Sequence, residues 1–213
     1  MTLSRRKFLE RTSALSAATI AFAAMPTLSF AQSYSDADLS KVGPLGEKVI
    51  GSADAPVTII EYSSLTCGHC ANFHNTTYLE LKKKYIDTGK VRLIFREFPF
   101  DTVAAAGFML ARCAPEDKYF NVLALMFAQQ RNWAFTKDPY NALLNLGKQI
   151  GFTEDGVKAC LTNQEILDGV SEVRDHGAQK LGVDSTPTFF INGEKVSGAL
   201  SLEEFSKYVD KNL

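Results

Sequence analysis

Cys67-Gly68-His69-Cys70 sets two thiols three residues apart, close enough to be joined as a disulfide and opened again by thiol–disulfide exchange. The apolar, β-branched run before the motif reads as a strand and the segment after it as a helix, which puts Cys67 at a helix N-terminus with its sulfur exposed. Partial positive charge at that end favours a thiolate. His69 is expected to bring its imidazole close to the Cys67 sulfur and favour the anion further. A stabilised reduced pair makes the corresponding disulfide an oxidant. Cys70, one turn into the helix, is expected to be more buried and to resolve mixed disulfides.

Two further groups fit this chemistry. Glu61 lies inside the strand, six residues before Cys67, where an unpaired carboxylate is costly; a carboxyl poised there can shuttle the proton of Cys70. The alternative is a strand-end carboxylate that reaches solvent. Ser185-Thr186-Pro187 precedes a second apolar run, and a proline just before a strand is a candidate cis bond. If Pro187 faces the cysteines, the Thr186 backbone offers an edge to which a substrate peptide adds by β-pairing; the alternative is an ordinary trans turn. A structural zinc site would need four ligands, with His69 or His74 among them, and no second C-x-x-C exists. Covalent haem needs histidine directly after the second cysteine, where Ala71 stands. His74 is read as a solvated helix-face residue, and His176 carries no functional signal.

The elements that must position these residues follow from the pattern along the chain. Val57-Thr58-Ile59-Ile60-Glu61-Tyr62 reads as a strand buried on both faces. Phe73, Thr77, Leu81 and Tyr85, four apart, predict one helix closed by Gly89, and Val91 to Phe98 is a second strand. Strand, helix and strand make a βαβ unit with a parallel pair. Residues 101–181 show helical stretches and no strong strand. Thr188-Phe189-Phe190-Ile191, Asn192-Gly193 and Glu194-Lys195-Val196 read as a hairpin with a type I′ turn. A last helix starts at Ser201, with Glu204 at the capping-box position. The fold class is therefore α/β, a thioredoxin-like sheet with a helical domain inserted between its βαβ and ββα halves.

Residues 1–31 combine a basic segment (Arg5, Arg6, Lys7, Arg11), an apolar stretch too short to span a membrane, and Ser29-Phe30-Ala31 as a small-x-small cleavage site. Ser4-Arg5-Arg6-Lys7-Phe8-Leu9 resembles the twin-arginine export motif; a general secretory signal is the alternative. Either route ends outside the cytoplasm. Residues 32–54 are polar and read as an extended lead-in, leaving 55–213 as the folded domain. Lys and Arg number 23 against 24 Asp and Glu, so no charge excess points to nucleic acid. Without residues 1–31 the chain carries 19 basic and 23 acidic residues, which implies no basic membrane-binding surface.

Gly51 through Pro56 leading into Val57–Tyr62, the Cys67–Cys70 motif, and Gly182 through Gly193 together closely resemble the DsbA family of exported thiol:disulfide oxidoreductases, alpha-proteobacterial members among them. The resemblance implies a thioredoxin fold, Cys67 as nucleophile, Cys70 as resolving cysteine, Glu61 as buried acid and Thr186-Pro187 as a cis-proline loop. It also implies a redox-active Cys67–Cys70 disulfide with no separate cofactor or metal. Reduced exported proteins are then the substrates, a DsbB-like quinone-linked membrane protein is the reoxidant, and the location is periplasmic. A monomer is expected. Two departures matter: Gly-His stands where the best-known members have Pro-His, and Thr186 where they have Val. Both point toward the alternative of isomerase or reductase activity, although about 25 residues between Ala31 and the first core strand are too few for the dimerisation domain of bacterial isomerases. A peptide-holding chaperone with an idle disulfide is the non-enzymatic alternative.

Cys113 and Cys160 lie outside any C-x-x-C motif in a chain expected to reach an oxidising compartment, and are expected to pair as a structural disulfide. Closing a loop of about 48 residues would stabilise the fold by roughly 4 kcal/mol in the chain-entropy model. Two buried free thiols on apolar helix faces are the alternative. Some DsbA-like proteins of alpha-proteobacteria are similar in carrying a second cysteine pair in the helical domain.

Overall fold

The computed structural model describes residues 34–213, so the leader expected over residues 1–31 lies outside the described residues. Strand β2, Val57–Ser63, is central: its alternating side chains feed apolar layers on both faces, Ile59 on one side and Ile60 and Tyr62 on the other. It pairs in parallel with β3, Val91–Glu97, from Val57↔Val91 to Ser63↔Glu97.

The crossover between these strands is helical, as a parallel pair requires, but it is not one helix. Helix α2, Gly68–Asn75, stops at Thr76, whose backbone leaves the helical region (φ -129, ψ -87). The chain resumes as α3, Thr77–Leu81, and ends in a π-helical turn over Lys82–Ile86. The Thr76 hydroxyl donates back to the Asn72 carbonyl (2.7 Å) and the Asn75 side chain donates to Phe127 O (3.2 Å). Such side-chain competition for backbone groups bends helices, and it corrects the single helix expected from the four-residue spacing.

The lead-in also departs from expectation. Residues 32–54 supply helix α1, Asp36–Ser40, and an edge strand β1, Lys48–Ile50, antiparallel to β3 with Lys48 opposite Phe95. A three-residue, half-exposed strand has no apolar alternation to read. It is anchored by buried groups far along the chain: Arg96 on β3 donates to Leu39 O (2.8 Å), Lys41 O (3.1 Å) and Glu47 (2.9 Å).

Helices α4 (Thr102–Cys113), α5 (Tyr119–Ala128), α6 (Gln130–Trp133), α7 (Pro139–Gln149), α8 (Glu154–Leu161) and α9 (Gln164–Lys180) come between β3 and the last two strands. β4, Thr188–Ile191, and β5, Glu194–Ser197, form the hairpin. Asn192 (φ 44) and Gly193 (φ 88) supply the two positive φ angles of its turn. The sheet order is β1-β3-β2-β4-β5. Helix α10, Leu202–Asp210, has the Ser201/Glu204 capping box and buries Phe205 and Val209. Cys113 at the end of α4 is bonded to Cys160 of α8, with Cα atoms 6.1 Å apart.

Candidate active site

Strand β2 ends at Ser63, the loop Ser64–Thr66 turns, and Cys67 becomes the N-cap of α2. That position sets its sulfur against the free N–H groups of the first turn. Cys67 is half-buried and Cys70 fully buried, and both carry free thiols. Opposite them the Thr186–Pro187 peptide is cis, and the Cys67 thiol donates to the Thr186 carbonyl at 3.3 Å.

The two thiols are driven in opposite directions. The Cys70 thiol, hydrogen-bonded to the Cys67 sulfur, is the largest influence lowering Cys67; burial opposes it, and the Thr186 side chain and the backbone N–H groups of Cys70 and His69 add to it. Together they bring Cys67 from an ordinary 9.0 to about 5. Burial, followed by the hydrogen bond and charge of Cys67, pushes the Cys70 thiol far up, with Ser63 and Thr186 opposing. Residue 69 lies exposed in the first turn, and its backbone N–H is among the groups that lower the Cys67 thiol.

A thiol that is depressed in the folded dithiol stabilises that form fully above pH 9, and the contribution disappears as pH falls through about 5. The disulfide form has no such group. The denaturation midpoint of the dithiol form is therefore expected to fall relative to that of the disulfide form as pH is lowered from 9 to 5. A difference that stays constant across this range contradicts the assignment of Cys67.

Glu61 is wholly buried rather than reaching solvent, and its Oε1 is 2.8 Å from His74 Nε2. His74 is thus not the solvated helix-face residue expected. It lies on the face of α2 that carries Cys70 and Phe73 and stacks on Phe127, with ring centroids 4.2 Å apart and planes 10° apart. Its place four residues after Cys70, inside the apolar face, was the available signal.

The helical insertion also grips the loop that carries Cys67. The buried Gln130 side chain donates to Leu65 O (2.8 Å) and Cys67 O (2.9 Å). Thr66 donates to Asp101 (2.8 Å), whose other oxygen caps α4 at Ala104 N. Gly107 packs so closely that a Cβ there would meet Leu65 at 2.9 Å. No local pattern marks Gln130: a glutamine reveals such a role only when the chain has folded 63 residues back onto the loop. Among the described residues, no three His, Cys, Asp or Glu side chains cluster as metal ligands do.

An N-capping thiol above a buried one, facing a cis-proline loop, on a sheet with this strand order, defines the thioredoxin-fold class. A family model described as Thioredoxin matches residues 45–211. The chain is 30% identical to alpha-DsbA1 of Wolbachia pipientis, covering 82% of this chain and 94% of that one with a TM-score of 0.76. It belongs to the DsbA family of thioredoxin-fold proteins. A Rickettsia conorii relative, named as a protein-disulfide oxidoreductase, is 34% identical over 168 residues, 78% of this chain and 60% of that one. Disulfide bond formation protein D of Bacillus subtilis is 24% identical over 176 residues, 79% of this chain and 78% of that one. The chain thus spans about 60% of the length of the Rickettsia protein.

Proposed function

We propose that this protein is an exported thiol:disulfide oxidoreductase that introduces disulfide bonds into other exported proteins through Cys67 and Cys70. The observation that carries the reading is the placement of the two thiols: half-buried Cys67 caps α2 and meets the Thr186 carbonyl at 3.3 Å beside the cis Thr186–Pro187 peptide, while Cys70 is buried one turn on, an arrangement that lowers the first thiol and raises the second. A dithiol stabilised in this way makes its disulfide a strong electron acceptor. The names of the Rickettsia and Bacillus relatives support the same activity.

In this scheme a substrate thiolate attacks Cys67 Sγ, the Cys67–Cys70 bond breaks, and its electron pair goes to Cys70, which takes a proton. A second substrate thiolate attacks the substrate sulfur of the mixed disulfide and expels Cys67 as a thiolate. The substrate leaves with a disulfide and the protein keeps the two electrons. The Thr186 carbonyl beside Cys67 is the edge along which the substrate backbone pairs. The twin-arginine-like leader supports export to the periplasm, where reduced exported proteins are substrates and a DsbB-like quinone-linked membrane protein removes the electrons. The working unit in this reading is a monomer.

Cys70→Ser tests the scheme. Cys67 can still attack a substrate disulfide, but no thiol resolves the product. Adducts joined through Cys67 are expected to accumulate with exported proteins and to collapse on reduction. Recovery of no adducts above the level seen with a Cys67→Ser/Cys70→Ser control overturns the assignment of Cys70.

A further inference from the structure

The face of α2 and the face of β2 beneath it are in register. Cys70 and His74 stand one turn apart on the helix, about 6 Å of rise. Ser63 and Glu61 stand two residues apart on one face of the strand, about 6.6 Å. The two upper positions are neighbours, with Ser63 close enough to lower the Cys70 thiol, and the two lower positions are joined by the 2.8 Å contact of His74 with Glu61. Ser63 Oγ and Glu61 Oε2 are both buried without a hydrogen-bond partner.

His74 sits in an apolar box of Phe73, Tyr78, Phe95 and Phe127. Phenylalanine would fill that box but leave the Glu61 carboxyl with no partner, at the cost of burying an unsatisfied polar group. Imidazole is the ring that fills the space, bonds the carboxyl and has two ring nitrogens that can each hold a proton.

We propose that His74 is a positioning residue for the resolving thiol: with Glu61 it forms a buried pair that lends a proton to Cys70 and takes it back in each catalytic cycle. The inference rests on the oxidoreductase reading above and adds the group that makes Glu61 usable. When a substrate thiolate opens the Cys67–Cys70 bond, the electron pair arrives on Cys70 Sγ and the extra proton of the pair moves to it. Glu61 is left as a carboxylate accepting the Nε2–H of neutral His74, so no bare charge remains in the core. When Cys67 has formed a mixed disulfide with the reoxidant, Cys70 Sγ attacks Cys67 Sγ, the bond to the reoxidant breaks, its sulfur leaves as a thiolate with the electron pair, and the proton of Cys70 returns to the pair. The other titratable groups around the pair are Tyr78 on α3 and, beyond Phe95, Tyr119 on α5 with Glu97 of β3 and Arg112 of α4. Tyr78 and Tyr119 are both held protonated, chiefly by burial.

Two measurements test this. Coupling between Cys70 and the pair is reciprocal, so the His74 ring, followed by NMR against pH in unmodified protein, is expected to titrate with different midpoints in the disulfide and the dithiothreitol-reduced forms. The difference is expected to vanish in Cys70→Ala. Equal midpoints in the two redox forms of the unmodified protein overturn the proposal. The second measurement is the rate at which a reduced model peptide opens the Cys67–Cys70 disulfide, across pH. His74→Gln keeps a donor to Glu61 but carries no exchangeable charge; it is expected to lower the rate by about tenfold or more and to change the shape of the pH profile. The Cys67 thiolate absorbance titration should not change. A slowdown equal at every pH assigns His74 to packing alone and overturns the proposal, as does an unchanged rate. If the unmodified protein oxidises no peptide, the oxidoreductase reading falls, and the NMR comparison still decides whether the pair communicates with Cys70.

Discussion

Cys67→Ser is expected to reduce disulfide transfer to a reduced peptide to the rate of the peptide alone. Cys67 contributes the sulfur that the substrate attacks in the disulfide form and the thiolate that is expelled from the mixed disulfide, so its loss removes both steps. Serine retains neither function: its hydroxyl forms no S–O linkage by exchange, and its pKa keeps it protonated. The N-cap position tolerates serine, which is a preferred capping residue, so the variant should keep its fold. Transfer is measured by peptide mass shift under anaerobic conditions, with circular dichroism as the folding control. Turnover by folded Cys67→Ser above the peptide-alone rate would refute the assignment of this thiol.

The second large effect concerns stability. Glu97, at the end of β3 and wholly buried, accepts a two-pronged contact from Arg112 (2.8 Å at Oε2) and a hydrogen bond from Tyr119 (2.6 Å). Arg112 also donates to Leu45 O (2.9 Å) and Gly46 O (3.0 Å), so one guanidinium ties sheet, insertion and lead-in together. Removing one partner of a buried pair strands the other charge, at a cost of about 3–5 kcal/mol. That is a large part of the roughly 5–15 kcal/mol that holds a domain folded. Glu97→Ala is therefore expected to lower the urea midpoint sharply, and the double variant Glu97→Leu/Arg112→Met to recover most of the loss, because apolar replacement removes both charges. A double variant less stable than Glu97→Ala would show that the hydrogen bonds of Arg112 to the lead-in, rather than the charge pair, dominate.

Much of the site was legible in the chain because its determinants are local. A buried β-branched run, a turn and a C-x-x-C motif put Cys67 at a helix start wherever the chain folds at all, since the N–H groups that favour its thiolate belong to the next three residues. The Asn192-Gly193 turn and the Ser201/Glu204 cap are equally local, being set by φ preference and by side chains that reach only three residues. Glu61 could be singled out because a carboxylate inside an apolar strand is costly unless something pairs with it.

What pairs with it was decided by the fold. Cys70, Phe73 and His74 share a helix face, but which strand residues meet that face depends on the βαβ crossover laying α2 over β2 in one register. Only then does His74 meet Glu61 and Ser63 meet Cys70. The same holds for Gln130, for the break at Thr76, which accompanies contacts with Phe127, and for the edge strand Lys48–Ile50, held by Arg96 and β3. The physical reason is range. A helix terminus, a cap or a turn acts over three or four residues, within reach of sequence reading. A buried carboxylate or arginine is satisfied by whatever polar group packing brings within 3 Å, and that group's distance along the chain carries no information about it: 13 residues for Glu61 and His74, 57 for Arg96 and Leu39, 63 for Gln130 and Cys67.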